Sequence, residues 1–467
     1  MGAATPSTGP LTPGLRTITA ALLAMVTVVA FESMAVSTAM PAVAAELEAM
    51  RGYGLAFSAM LTAQLLGIVL AGVWTDRQGP LPGTFAGQLL VGGGSALCGV
   101  ATNYPLFLAG RIVTGLGGGL LVVMLYVIAA RVYTEAARPR LFALISAAWV
   151  LPSLTGPAVS AWLTDTFSWR WVFLVVVPPC VATFAFFVAQ RGRLEGRGVD
   201  RPETTDGLET TDTPEASSSH LRTAWVGLAL ALAAGAVQYG TATTGDRPTW
   251  QRALAVVGLV GIVLAAPRLL PVGTWRMARG MPSVMLSRAL LAGTFYAGIS
   301  YVPLMLVTVH GRSLLTAGGL VAVGSLGWFS GSWWQGRLRT DFPRERLIVA
   351  GGALLATGLL TLAACTVTQA PWWLVALPLA VAGVGMGLGI TTTAILALAL
   401  SRHEEHGEIS SSLQIADVLG SVLGLAAASA AFAAGHSSQD APLFAAIFAG
   451  AGALAAVVVA AGQRIRT

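Results

Sequence analysis

The sequence predicts an all-α membrane protein that crosses the bilayer fourteen times. Of 467 residues, 55% are hydrophobic and only 10% are charged, whereas a soluble chain carries about 25% charged residues. The apolar residues arrive in long blocks separated by short polar punctuation, the pattern of successive membrane helices. These blocks are too long for barrel strands and lack period-two alternation, which argues against an outer-membrane barrel. A net charge of +6 raises the question of nucleic-acid binding. The arginines are scattered among loops, however, and topology explains them better.

The spans are expected near 17–40, 54–74, 84–101, 105–130, 141–163, 169–190, 222–241, 251–270, 289–309, 314–334, 347–367, 371–399, 409–434 and 441–462. The first block is not a cleavable signal: it is long, Glu32 interrupts it, and no basic cluster precedes it. Cys98, Cys180 and Cys365 fall inside apolar blocks and behave as small buried hydrophobes, not as a disulfide frame or metal site. All basic residues are arginine, a composition suggesting a GC-rich bacterial genome. With the N-terminus placed in the cytoplasm, twenty-one arginines fall on that side, including Arg288, and five on the other, leaving Arg111 within a span. That bias supports fourteen spans with both termini cytoplasmic in a bacterial cell membrane.

Residues 191–220, rich in Gly, Pro, Ser, Thr and acids, cannot bury a core and are expected to be a flexible tether. The chain therefore divides into a first six-helix bundle at 1–190, the linker at 191–220, two additional helices at 221–272 and a second bundle at 273–467. The two sides echo each other. "TDRQGP" precedes a span and then the Gly-rich "GRIVTGLGGGLL"; "GRLRTDFPRER" precedes a span and then "AGVGMGLGI". Internal repeats of this kind occur in secondary transporters, whose substrate sites lie between them.

Several motifs carry chemistry. In "GVWTDRQGP", Gly72, Asp76, Arg77 and Gly79 resemble the cytoplasmic loop signature G-x-x-x-D-R-x-G-R-R of the major facilitator superfamily, without its trailing basic pair. An acid there can cap and pair with helix ends and latch the two halves. "LAGRIVTGLGGG" resembles the family's R-x-x-x-G-x-G helix: Arg111, Gly115 and Gly118 share a face, and Gly115 with Gly119 permits close packing. "LPSLTGPAVSAWL" resembles the antiporter signature, with Gly156, Pro157 and Ser160 on one face and Ser160 and Ala161 in place of a glycine pair. Pro157 is expected to kink the helix where it meets the other half. "FESMAVSTAMP" resembles the first-helix motif of the fourteen-span drug:proton antiporters, with Glu32 at the acid and Pro41 at the proline. The resemblance implies a major facilitator fold of two six-helix bundles plus two extra helices, alternating access and coupled export.

An acid at mid-membrane persists for a function or with a partner. Glu32 lies nine residues before Pro41, about 13 Å from the outer end of the first span, and Arg111 about 9 Å from the outer end of the fourth. The two are therefore expected to be nearly level, with Ala35 and Ala39 leaving room for a neighbour. Burial favours the neutral acid and a guanidinium favours the carboxylate, so movement of either would load and release a proton. Asp417, the other embedded acid, serves either proton coupling or an interdomain contact. Gln64, Tyr126, Trp149, Tyr296, Tyr301, Trp328 and Met386 are candidate cavity linings, with ordinary packing the alternative for each.

The expected activity is proton-coupled export of amphiphilic or hydrophobic small molecules such as drugs, with protons as coupling ion and no cofactor. The expected partners are the lipid bilayer and the amphiphilic substrate, without nucleic acid, and the working unit is a monomer. Export of a lipid or secreted metabolite, or a receptor or assembly role without transport, stands beside it. No H-E-x-x-H, G-x-S-x-G or P-loop occurs, so an embedded enzyme is not expected.

Overall fold

A computed structural model of the chain describes residues 15–134, 137–196, 214–241, 249–338, 342–401, 406–435 and 440–465. The described residues form helices and contain no strand. In order they are α1 (Arg16–Glu46), α2 (Tyr53–Gln78), α3 (Pro80–Gly99), α4 (Tyr104–Val132), α5 (Arg138–Thr166), α6 (Arg170–Leu174), α7 (Val177–Gly196), α8 (Pro214–Thr241) and α9 (Thr249–Ala265). There follow α10 (Met281–Ile299), α11 (Val302–Thr308), α12 (Leu314–Gly336), α13 (Glu345–Val367), α14 (Ala376–Ala399), α15 (His406–Ala434) and α16 (Ala441–Gln463).

Among the described residues, 11 helical stretches are long and apolar enough to cross a membrane, with α6–α7 and α10–α11 each counting as one. The expected spans at 84–101, 141–163 and 222–241 fall on α3, α5 and α8, outside that set. Glycines dilute the apolarity of α3, α5 opens with Arg138 and Arg140, and α8 is apolar only over Trp225–Thr241. The linker expected at 191–220 is shorter in helix terms, because α7 runs to Gly196 and α8 begins at Pro214.

Local chemistry explains the breaks. Pro303 sits in the first turn of α11, where it lacks an N–H and would crowd the carbonyl of Ile299 in a continuous helix. The chain accordingly interrupts between α10 and α11. Gly79 joins α2 to α3 at φ 75° and ψ 178°, a combination that essentially only glycine adopts. Two boundaries differ from expectation. α1 continues through Pro41 to Glu46, since membrane helices tolerate a proline when neighbours satisfy the freed carbonyl. α10 starts at Met281, after Gly280 at φ 79° and with Pro282 in its first turn. Arg288 is therefore inside a helix and not in a loop.

Hydrogen bonds near helix ends mark two ends of the bundle. At one, called here the far end, Tyr104 donates to the Gly52 carbonyl (2.6 Å) and Arg170 to that of Ala101 (3.1 Å). At the other, the linker end, the Gly280 N–H meets the Arg464 carbonyl (3.4 Å) and Ser412 that of Leu269 (3.4 Å). Pairing repeats across the chain: α1 packs on α5 as α10 packs on α15, and α2 on α4 as α12 on α14. Glycine makes the second kind of pair possible. A Cβ at Gly115 or Gly119 would run into the carbonyls of Met60 or Gln64 on α2, and one at Gly383 or Gly387 into those of Gly324 or Trp328 on α12. The halves meet through α5 with α12 and α2 with α15, while α8 lies against both α2 and α15.

Candidate functional site

Among the described residues, the interior of the first half holds one ion pair. Arg111 Nη1 on α4 donates to Glu32 Oε1 on α1, and both side chains are 2% exposed. Arg111 Nε also donates to the Ala56 carbonyl on α2 at 3.1 Å, so one guanidinium ties three helices. Small residues permit the approach, since Ala35 and Ala39 are fully buried on α1. The expected depths were wrong in one respect. With α1 ending at Glu46, Glu32 lies fourteen residues from that end, about 21 Å, while Arg111 lies seven residues into α4, about 10 Å. The two helix ends are therefore offset along the bundle, and the side chains still meet.

The second half holds another pair that the sequence revealed only in part. Asp417 Oδ2 on α15 lies 3.7 Å from Arg288 Nη2 on α10, with exposures of 27% and 11%. Asp417 Oδ1 has no hydrogen-bond partner. Arg288 itself is held firmly. Its Nε donates to the Leu413 carbonyl (3.1 Å) and its Nη1 to the Ile390 carbonyl (3.1 Å), with Thr393 Oγ1 at 3.4 Å. Assigning Arg288 to a loop hid this partner; the glycine and proline that open α10 were the signal for it.

α5 links the first site to the second half. Ser160 Oγ donates to the Ala35 carbonyl at 2.6 Å, one turn from Glu32. Gly156 lies beside Met34 and Phe31 of α1, and a Cβ at Gly318 of α12 would stand 2.6 Å from the Pro157 carbonyl. α5 runs as one helix through Pro152 and Pro157. Gly118 and Gly72 face open space. The backbone of Asp76 and Arg77 belongs to α2, but their side chains lie outside the described part.

The candidate cavity residues separate into groups. Tyr126 is 44% exposed. Gln64 and Trp149 are half-buried. Tyr296 and Trp328, also half-buried, both pack edge-on to Phe295. Met386 is in the packed core at 1% exposure. Tyr301 belongs to a far-end closure that sequence reading missed. Tyr53 of α2 donates to the Ser300 carbonyl at 3.2 Å, and its ring lies 5.3 Å from that of Tyr301, which lies 5.3 Å from Phe432 of α15. A Cβ at Gly54 would sit 2.5 Å from the Tyr301 hydroxyl. The halves are thus sealed together at the far end. No cluster of metal-ligating side chains occurs among the described residues.

The arrangement is an all-helical protein of two halves with repeated pairing and ionisable groups set between helices. Residues 22–425 match the Major Facilitator Superfamily, and the chain belongs to that family. It is 26% identical over 346 residues to the multidrug transporter protein MdtP of Bacillus subtilis, an alignment covering 71% of this chain and 60% of that protein. It is 26% identical over 441 residues to the uncharacterized MFS-type transporter Rv1877 of Mycobacterium tuberculosis, covering 91% and 61%. The chain thus spans 60% and 61% of the lengths of these two curated relatives. Among solved structures it resembles a POT family transporter in complex with 5-aminolevulinic acid (TM-score 0.70, 12% identity, 96% of each chain). It also resembles a D-xylose–proton symporter (TM-score 0.61, 16% identity, 96% of this chain and 99% of that one). At such identities the likeness is one of fold. The family and the relatives named here are of a transporter, non-enzymatic class.

Proposed function

We propose that the chain is a proton-coupled exporter of amphiphilic or hydrophobic small molecules, working by alternating access as a member of the fourteen-span drug:proton antiporter group. The observation that carries this reading is the sealed Glu32–Arg111 pair. A carboxylate and guanidinium removed from water are stable only while they touch. Any rearrangement that parts α1 from α4 leaves the acid to take a proton, and closure returns it. Protons are the coupling ion, and no cofactor is required. Ser160 couples α5 to the turn that carries Glu32, and Pro157 abuts α12 of the other half, a route by which movement between the halves reaches the acid. Similarity to proteins named for multidrug transport and efflux supports the substrate class. The far-end seal corresponds to a state closed to the outside. The working unit is a monomer in a bacterial cell membrane, with the linker end and both termini cytoplasmic. In this reading α3, α5 and α8 also cross the membrane, completing fourteen spans.

The test uses proteoliposomes with an imposed pH gradient and a fluorescent amphiphile. Wild-type protein should release protons when substrate is added. Glu32→Gln should fold and bind but lose gradient-driven export by about tenfold or more, while Glu32→Asp keeps part of it. Wild-type export by Glu32→Gln overturns the mechanism. Cysteines placed at Gly192 and Asp440 should label from opposite faces, and labelling from one face overturns the fourteen-span topology.

A further inference from the structure

We propose that Asp417, with Arg288 fixed beside it, forms a binding subsite for uncharged amphiphiles that carry an O–H or N–H donor, and that this subsite disfavours permanent cations. The proposal deepens the export reading by naming its substrate class.

Three features of the second pair lead there. The first is unfilled acceptor capacity. Asp417 Oδ1 is buried without a partner, and Oδ2, the oxygen facing Arg288, is 3.7 Å from the nearest guanidinium nitrogen, beyond hydrogen-bond length, so Oδ2 is the acceptor left for a ligand. Its charge has a counter-ion while its lone pairs have no donor, and the side chain is 27% exposed. The second is that Arg288 cannot yield its place. Two of its nitrogens already serve carbonyls on α14 and α15, and withdrawing it would strand several buried groups together. The third is location. The pair stands between α10 and α15, which pack on each other, and α15 also packs on α2 of the opposite half. On α10, two turns beyond Arg288, Tyr296 and Trp328 of α12 pack on Phe295, adding the apolar aromatic surface that a site with a few polar anchors requires.

Charge then decides the ligand. With Asp417 ionised the pair sums to zero, and with Asp417 protonated it sums to plus one. In neither state is the subsite negative, so a fixed cation gains nothing there and is repelled in one of them. A neutral donor gains a hydrogen bond to an acceptor that has none, and such bonds to a charged group are among the stronger ones. Glu32 offers no comparable opening, because it is sealed and already bonded to Arg111.

The experiment is equilibrium binding to the full chain in lipid nanodiscs, followed by tryptophan fluorescence, with four probes of similar shape: triphenylmethanol, triphenylmethane, tetraphenylphosphonium and triphenylacetate. The alcohol should bind about tenfold or more tightly than the hydrocarbon or the phosphonium. Asp417→Leu should erase the preference for alcohol over hydrocarbon, whereas Asp417→Asn, which still accepts a bond, should keep most of it. Arg288→Gln should raise phosphonium affinity by about tenfold because it leaves the acid unpaired; if that variant does not fold, the two Asp417 variants still decide. Phosphonium or triphenylacetate binding as tightly as the alcohol to wild type overturns the proposal. An alcohol preference that survives Asp417→Leu, or no measurable binding of the alcohol, also overturns it. Loss of gradient-driven export with this binding pattern intact would sink the export reading alone.

Discussion

In each half an arginine ties three helices, yet the resulting pairs differ in what they leave undone. Arg111 reaches Glu32 and the Ala56 carbonyl, and water is excluded from both side chains. Arg288 serves carbonyls of Leu413 and Ile390 and stands beside Asp417 without bonding it. Neutralising a charge and satisfying its lone pairs are therefore separate tasks. The first pair neutralises its charge and bonds one carboxylate oxygen, Oε1, away from water, which suits a group that exchanges something as small as a proton. The second does only the first task, and leaves an acceptor for a larger molecule.

The largest expected effect comes from breaking the sealed pair on one side. Arg111→Leu strands a buried carboxylate, a loss of about 3–5 kcal/mol. Arg288→Leu strands a partly exposed acid that had no hydrogen bond to lose, though it also frees two carbonyls, so about 1–3 kcal/mol is expected. Thermal unfolding in one detergent compares them. Equal destabilisation would mean that the two pairs are energetically alike and would remove the contrast.

A double-mutant cycle sharpens the same point. Glu32→Gln with Arg111→Gln should show a coupling of about 2 kcal/mol or more, and Asp417→Asn with Arg288→Gln less than about 1 kcal/mol. A larger coupling at the second pair would show that its spacing closes in the membrane.

Accessibility gives a third comparison. A cysteine replacing Asp417 should react with a small hydrophilic thiol reagent about tenfold faster than one replacing Glu32, because only the former position is open. Faster reaction at position 32 would show that the first site is the one facing the cavity.

Much of this contrast could be read in the sequence, but unevenly. Glu32 and Arg111 stood out because a charge within an apolar block is conspicuous, and because small residues on the Glu32 face promised a neighbour. The glycine contacts of Gly115 and Gly119 were legible for a similar reason, since their spacing stacks them on one face. Arg288 was not, because it lies only seven residues from Met281, where loop and helix have similar composition. Pro41 misled in the opposite direction: a proline ends soluble helices more often than membrane ones. The lining residues were the hardest. These helices are apolar on all sides, so periodicity does not separate a lipid-facing side chain from a core one, and Tyr301 emerged in a far-end seal with Tyr53 and Phe432.

The smallest expected effect concerns the serines that attend the two acids. Ser160 Oγ donates from α5 to the Ala35 carbonyl of α1 at 2.6 Å, crossing between helices one turn from Glu32. Ser421 Oγ donates to the carbonyl of Asp417 itself at 2.8 Å, within one helix. Both serines are buried. Removing the first hydroxyl unties two helices and leaves a carbonyl served only by its own helix, so Ser160→Ala should cost about 1 kcal/mol. Removing the second releases a bond that competes with the helix's own and slightly bends it, so Ser421→Ala should change stability by less than about 0.5 kcal/mol. The same difference should appear in transport. Loosening α5 from α1 disturbs the support of the Glu32 turn, and Ser160→Ala should slow gradient-driven export about two- to fivefold, in proportion to the lost bond. Ser421→Ala should leave it within error. If Ser421→Ala slows export more than Ser160→Ala does, then it is the second pair, and not the sealed one, whose local rigidity limits turnover.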